Sequence, residues 1–170
     1  MNTLEKLARK HSKTDKFIDG GRYLEFYTEA LRPYRRQAIS LMEIGVRSGD
    51  SIRIWRDYFR KGRILGVDKK VRRGAKVKGA RVVEWNAYNE LFAKQLPKFD
   101  IIIDDGPGTL RSWRQAVSLY LPKVNQGGLF VIEDFWAEPG QVGLDEKDCE
   151  VIDLGSGSGR RDDRLLVVRP

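Results

Sequence analysis

Cysteine and histidine are almost missing from this sequence. Of 170 residues, only Cys149 is a cysteine and only His11 a histidine. A single cysteine rules out an intrachain disulfide and a cysteine zinc site, and a single histidine all but rules out a histidine metal centre. A bound metal ion would have to be held by oxygen atoms. Long apolar runs are missing as well. None approaches the roughly 20 residues that span a bilayer, and the first residues, MNTLEKLARKHSK, carry no continuous apolar core of a secretion signal. These absences predict a cytoplasmic protein with no membrane partner.

The composition that remains is that of a globular domain, 41% hydrophobic and 33% charged, and the length fits one domain with a sizeable core. The net charge is +8. The excess crowds between Arg53 and Arg81, where Lys69, Lys70, Arg72, Arg73, Lys76 and Lys78 follow one another with little acid between. Such a run is either a solvated face or a surface for phosphate and other anions. No single-strand RNA-binding signature accompanies it.

Residues 1–36 read as a helical cap before a core over 37–170. Leu4 and Leu7, then Tyr23, Phe26, Tyr27, Ala30 and Leu31, recur at helical spacing. Ala38–Val46 is a short apolar run suited to a strand covered on both faces. Gly45 and Gly49 bracket a turn, Ser51–Phe59 is an amphipathic helix with Ile52, Trp55 and Phe59 on one face, and Arg63–Asp68 is a second strand. Further strands are expected over Ala80–Trp85, Phe99–Asp105, Leu129–Phe135, Cys149–Leu154 and Arg164–Arg169, with helices over Asn89–Leu96 and Arg111–Leu121 and a turn at Gly127-Gly128. Strands alternating with helices predict an α/β fold with a mostly parallel sheet, closed by two antiparallel strands that have no helix between them.

Ligands of such sheets bind at the carboxyl ends of the strands. The residues expected there are Glu43, Gly45 and Gly49 after the first strand, Asp68 after the second and Asn86 after the third. Asp104, Asp105 and Gly106 follow the fourth, and Glu133 and Asp134 the fifth. A basic protein thus gathers carboxylates on one rim. Glycines let backbone approach a ligand, and an acid at the second strand tip can accept from ribose hydroxyls. The spacing E-x-G-x-x-x-G is looser than the G-x-G-x-x-G of pyrophosphate binders, which favours a nucleoside with a non-phosphate tail.

EIGVRSGDSIRIWRDYF followed by GRILGVD resembles the first two motifs of class I S-adenosylmethionine-dependent methyltransferases. The branch it resembles is the small-molecule O-methyltransferases that include macrolide-sugar methyltransferases and a related cephalosporin-biosynthesis protein. Thr14-Asp15-Lys16 with Tyr23 and Tyr27, then Asp104-Asp105-Gly106, Gln126-Gly127-Gly128 and Val131-Ile132-Glu133-Asp134, follow that branch in order. The resemblance implies a Rossmann-like, doubly wound, seven-stranded sheet and S-adenosyl-L-methionine as cofactor. It places Glu43, Gly45 and Gly49 at the methionine end, Asp68 at the ribose and Asn86 near adenine, with Ser51 and Asp104 in the same site. It also implies Mg2+ on Asp104, Glu133 and Asp134. All-oxygen ligands suit that ion, and three converging carboxylates would repel one another without a cation. The implied reaction is metal-assisted O-methylation of a small hydroxylated molecule, with Asp104 catalytic.

The sequence departs from the branch where Ser-His commonly follows Asp-Asp-Gly. Here Pro107 and Gly108 stand, which makes Asp105 the substitute candidate base and leaves His11 the only histidine able to fold over the site. The loop Trp136–Asp148 and residues 1–36 are candidate lids. Two other readings remain. One is a nucleic-acid ribose 2′-O-methyltransferase using the basic Arg53–Arg81 surface, with Lys16, Asp104 and Lys123 as parts of its catalytic set. The other is a cofactor-binding protein without catalysis.

Overall fold

The structure is a computed structural model and describes residues 3–11, 22–155 and 164–170. The Thr14-Asp15-Lys16 segment and the loop after Gly155 lie outside them. The elements are α1 (Thr3–His11), α2 (Arg22–Leu31), β1 (Ser40–Ile44), α3 (Asp50–Tyr58), β2 (Arg63–Asp68), β3 (Arg81–Glu84), α4 (Glu90–Gln95), β4 (Phe99–Asp104), α5 (Leu110–Tyr120), β5 (Val124–Ile132), β6 (Glu150–Asp153) and β7 (Arg164–Val168). They build one seven-stranded sheet in the order β3-β2-β1-β4-β5-β7-β6. Strands β1 to β5 pair in parallel, and β7 pairs antiparallel to both β5 and β6. The alternation of strands and helices favours this result, because each parallel pair needs a crossover; a helix fills the crossovers from β1 to β2, β3 to β4 and β4 to β5, while β2 and β3 are joined by the loop over 69–80.

Helices cover both faces, and the strand period of two assigns residues to them. Leu41, Ile101, Ile103, Leu129 and Val131 pack with Tyr27, Trp55 and Phe59 under α1, α2 and α3. Met42, Ile44, Ile102, Phe130 and Ile132 pack with Trp113 and Tyr120 beneath α4 and α5. Local signals start and stop the helices. Asn89 caps α4 by accepting from the Phe92 amide, and Thr109 and Ser112 form a reciprocal capping box at α5.

The expected turn at Gly127-Gly128 is instead part of β5, which begins at Val124 rather than Leu129. Its pairing with β4 jumps from Phe99↔Val124 to Ile101↔Leu129. The glycines absorb the extra residues. A Cβ on Gly128 would stand 2.6 Å from the Asp100 carbonyl oxygen, so only glycine passes there. At that same end of the sheet, Asp100 accepts from the Ser40 amide (2.7 Å), the Ser40 hydroxyl (2.9 Å) and the Asn125 amide nitrogen (2.7 Å). One carboxylate thereby ties β1, β4 and β5 together.

Candidate functional site

The predicted rim residues all stand at the carboxyl ends of their strands, but they fall into separate groups. The β1–α3 turn is shaped by its glycines. Gly45 has φ +88°, and a Cβ there would lie 1.9 Å from the Asp105 carbonyl oxygen. Gly49 has φ +80°, and its Cβ would lie 2.7 Å from the Ala75 carbonyl oxygen. Both glycines are therefore demanded by neighbouring backbone, independently of any ligand. Close packing is enough by itself to require glycine at both positions.

Asp68 clamps the same turn. One of its oxygens accepts from the amides of Val46 (2.9 Å) and Arg47 (2.8 Å), and the other from the Lys70 amide (2.9 Å). Arg47 needs that clamp because its φ is +46°, in the left-handed region. A carboxylate has about four lone-pair sites, so Asp68 keeps room for a further donor such as a ribose hydroxyl. Beneath the turn Glu43 is fully buried and accepts from the Ser51 hydroxyl at 2.7 Å. Asn86 is exposed at the tip of β3. It opens on a cleft of about 520 Å³ lined also by Tyr88, Thr109, Arg111 and Gln115. That volume suits a nucleoside-sized ligand.

The carboxylates expected to converge on a metal ion divide between the two faces of the sheet. Asp104 follows Ile102 in parity and points to the α4–α5 side, where its Oδ1 accepts from Tyr88 (2.7 Å). Glu133 follows Val131 in parity and points to the α2–α3 side, where its Oε1 accepts from Tyr27 (2.5 Å). Asp134 has φ +54° and accepts from Tyr23 at 2.8 Å. Among the described residues no group of three or more His, Cys, Asp or Glu side chains is close enough to hold a metal ion. The expectation of a preformed three-carboxylate cluster is corrected on that point. The physical reason is the strand period of two, which sends Asp104 and Glu133 to opposite faces. Each carboxylate is met by a phenol, a partner that the argument from mutual repulsion left out.

Tyr27 and Tyr88 remain protonated donors. Burial first, and then the charge of Glu133, push Tyr27 well above its ordinary value. Burial first, and then Asp104, do the same to Tyr88 and Tyr120. Asp104 itself is 1% exposed, and burial, partly offset by the Tyr88 bond, raises its carboxyl from 3.8 to about 7. Its Oδ2 is buried and has no hydrogen-bond partner among the described residues. Asp104 is thus a carboxyl poised near neutrality with one oxygen still to be satisfied. Tyr88 escaped the sequence reading. Its signal is Gly106, where a Cβ would stand 2.0 Å from the Tyr88 hydroxyl, so the glycine of Asp-Asp-Gly makes room for that phenol.

Other expectations resolve plainly. His11 does not fold over the rim; its Nε2 lies 2.7 Å from Asp57 Oδ2 near the far end of α3. Asp57 is seven residues, about 10 Å of helix, from the rim-side start at Asp50. Lys123 donates to the Leu96 carbonyl oxygen (2.7 Å) beside Val124, where β5 begins at the opposite end of the sheet. With Lys16 outside the described residues, the ribose-methylating set is not assembled among the described ones. Asp105 is half-buried, its amide donating to the Ile44 carbonyl (2.9 Å). At Pro107-Gly108, the Gly108 carbonyl accepts from the Trp136 indole at 3.3 Å, so the Trp136–Asp148 loop reaches back over the place where a histidine was expected. Trp136 also packs edge-on against Trp113. Among the described residues no helix is long and apolar enough to cross a membrane.

No protein-family model matches the chain. Several curated proteins are similar in sequence. Mycinamicin VI 2''-O-methyltransferase of Micromonospora griseorubida is 32% identical over 143 residues, covering 76% of this chain and 36% of that protein. L-olivosyl-oleandolide 3-O-methyltransferase of Streptomyces antibioticus is 30% identical over 161 residues, covering 86% of this chain and 41% of that protein. The chain therefore spans well under half the length of these relatives. Among solved structures, the MycE methyltransferase of the mycinamycin pathway, in complex with Mg, SAH and mycinamycin VI, superposes with a TM-score of 0.76 at 25% identity. That match covers 99% of this chain and 53% of the other.

Proposed function

We propose that this chain, which is similar in fold and sequence to class I S-adenosylmethionine-dependent methyltransferases of the macrolide-sugar branch, methylates a hydroxyl of a small sugar- or polyketide-like molecule. The observation that carries this reading is Asp104, a buried carboxyl of pKa about 7 with an unpartnered oxygen, bonded to the Tyr88 that lines the nucleoside-sized cleft. Similarity to named sugar O-methyltransferases supports the acceptor class.

In this proposal the cleft beside Asn86 takes the adenine, and the remaining acceptor site of Asp68 takes a ribose hydroxyl. The backbone of the turn from Gly45 to Gly49, supported by the buried Glu43–Ser51 pair, lies along the methionine end. The bound sulfonium supplies the electrophilic methyl group. The acceptor oxygen gains the carbon–oxygen bond as the carbon–sulfur bond breaks, and its proton passes to Asp104, a base matched to neutral pH without a histidine. Asp105, next in sequence, is the reserve proton acceptor.

The residues present fit a hard divalent cation in kind, since Asp104, Glu133 and Asp134 offer only oxygen and Asp104 Oδ2 awaits a partner. Because Asp104 and Glu133 face opposite sides of the sheet, the three do not form one Mg2+ site as they stand; an ion held at Asp104 Oδ2 would supply a Lewis acid that lowers the pKa of a hydroxyl. Incubation with methyl-labelled cofactor and a panel of glycosylated and free hydroxylated acceptors tests the whole reading. Label transfer to a hydroxyl of at least one acceptor class is expected. A protein that is thermally stabilised by the cofactor but labels none would be a binding protein instead.

A further inference from the structure

We propose that the loop from Lys69 to Arg81, together with Trp85, is a docking surface for single-stranded nucleic acid. Lys69, Lys70, Arg72, Arg73, Lys76, Lys78 and Arg81 are all exposed. None of them forms an ion pair among the described residues. The acids that could neutralise them are engaged elsewhere. Asp68 holds three backbone amides, Asp50 pairs with Arg53 (2.7 Å), and Glu84 accepts from the Val71 amide (2.9 Å). Seven uncompensated cations on one loop make a local field far stronger than the net charge alone implies.

The loop and an exposed aromatic ring flank the same edge strand, the loop packing on the α3 side through Val71, Ala75 and Val77 and Trp85 lying on the α4 side against Phe92. The Trp85 amide donates to the Asp68 carbonyl (2.8 Å), and the Val71–Glu84 bond fastens the loop one residue before Trp85. Trp85 is 53% exposed, although a tryptophan of this size is normally covered. Its ring is stacked on Phe92 with planes 21° apart and centroids 5.9 Å apart, which fixes its orientation. Both features sit at the free edge of the sheet, since β3 is an edge strand, and next to the rim. Cations that meet phosphates beside a rigid aromatic that stacks a base are the two components of single-strand binding. An anionic membrane is the less suited partner. The cations lie on a loop and not on one face of an amphipathic helix.

The inference concerns docking and is independent of which hydroxyl is methylated. Its test is fluorescence anisotropy with labelled oligouridine, run without cofactor and across salt concentrations, alongside phosphatidylserine vesicles. Binding that weakens steeply with salt is expected. Lys70→Glu/Arg72→Glu/Arg73→Glu should weaken it more than tenfold at low salt and flatten the logarithmic salt slope by about 2, the effect of three lost phosphate contacts. Trp85→Ala should weaken it roughly 5- to 150-fold, the range of a lost base stack. All four side chains are exposed, so the melting temperatures should stay near the wild type. The proposal is overturned if oligouridine does not bind, if these variants bind as well as the parent, or if vesicles bind and oligouridine does not.

Discussion

Asp104→Asn is expected to lower methyl transfer by on the order of 10²- to 10⁴-fold, the usual contribution of a positioned general base, while leaving cofactor binding nearly unchanged. The same variant should alter the pH dependence of stability. In the folded protein burial raises the Asp104 pKa from 3.8 to about 7. Below about pH 4 both the folded and unfolded chains hold this proton, and the contribution to stability is fully present. Between pH 4 and 7 the unfolded chain has released the proton and the folded chain has not, so stability falls as the pH rises. The loss amounts to about 4 kcal/mol, since each tenfold fall in proton concentration between the two pKa values costs about 1.4 kcal/mol. Asparagine keeps the acceptor for Tyr88 and carries no charge, so its profile over that range should lack this fall. Urea midpoints measured from pH 4 to 8 give the comparison. If variant and parent decline in parallel, Asp104 is not the group responsible. Repeating the series with Mg2+ separates two roles: a cation on Asp104 stabilises its ionised form and flattens the parent's profile, whereas a purely proton-accepting Asp104 leaves it unchanged.

Gly45→Ala should be the most damaging small substitution at the rim. The new methyl carbon would lie 1.9 Å from the Asp105 carbonyl oxygen and 2.6 Å from its carbon, at a φ of +88°. Backbone cannot turn aside as a flexible side chain can, so β1 and β4 must separate at their tips. Gly108→Ala is the matched control. It has φ +63° with nothing within 4 Å, and should lose only the roughly 1–2 kcal/mol of placing a Cβ in the left-handed region. Gly45→Ala should exceed that by several kcal/mol and lose cofactor binding as well. Equal losses in the two variants would mean that contact with Asp105 is not what holds Gly45.

The sheet was legible because its strands are short apolar runs between Gly, Pro and Asp signals, and because alternation with helices leaves a parallel pairing as the main solution. The start of β5 was not legible, since a Gly-Gly pair signals a turn and a bulge equally well. At the rim, the sequence placed every acid at its strand tip. It did not show which face each one takes, because that depends on the register of Asp104 against Ile44 and Ile132. Nor did it show that Tyr23, Tyr27 and Tyr88 meet those acids from 111, 106 and 16 residues away. The glycines of the first turn were read as ligand contacts, and backbone packing requires them as well. His11 was uninformative from sequence alone, since its partner Asp57 is 46 residues distant.

The three-way bond of Asp100 gives the two ends of the sheet opposite responses to pH. Burial raises the Asp100 pKa, but hydrogen bonds from Ser40 and Asn125 outweigh it and bring the group below its ordinary value. Its contribution is therefore present above the unfolded pKa and is lost as the medium is acidified, opposite in sign to that of Asp104. The two residues stand near opposite ends of the same strand. Acid should loosen amide protection first where β1, β4 and β5 begin, and neutral to alkaline pH should loosen it first where they end. The rim end of the sheet is thus the softer one near neutral pH, and the far end is then at its firmest.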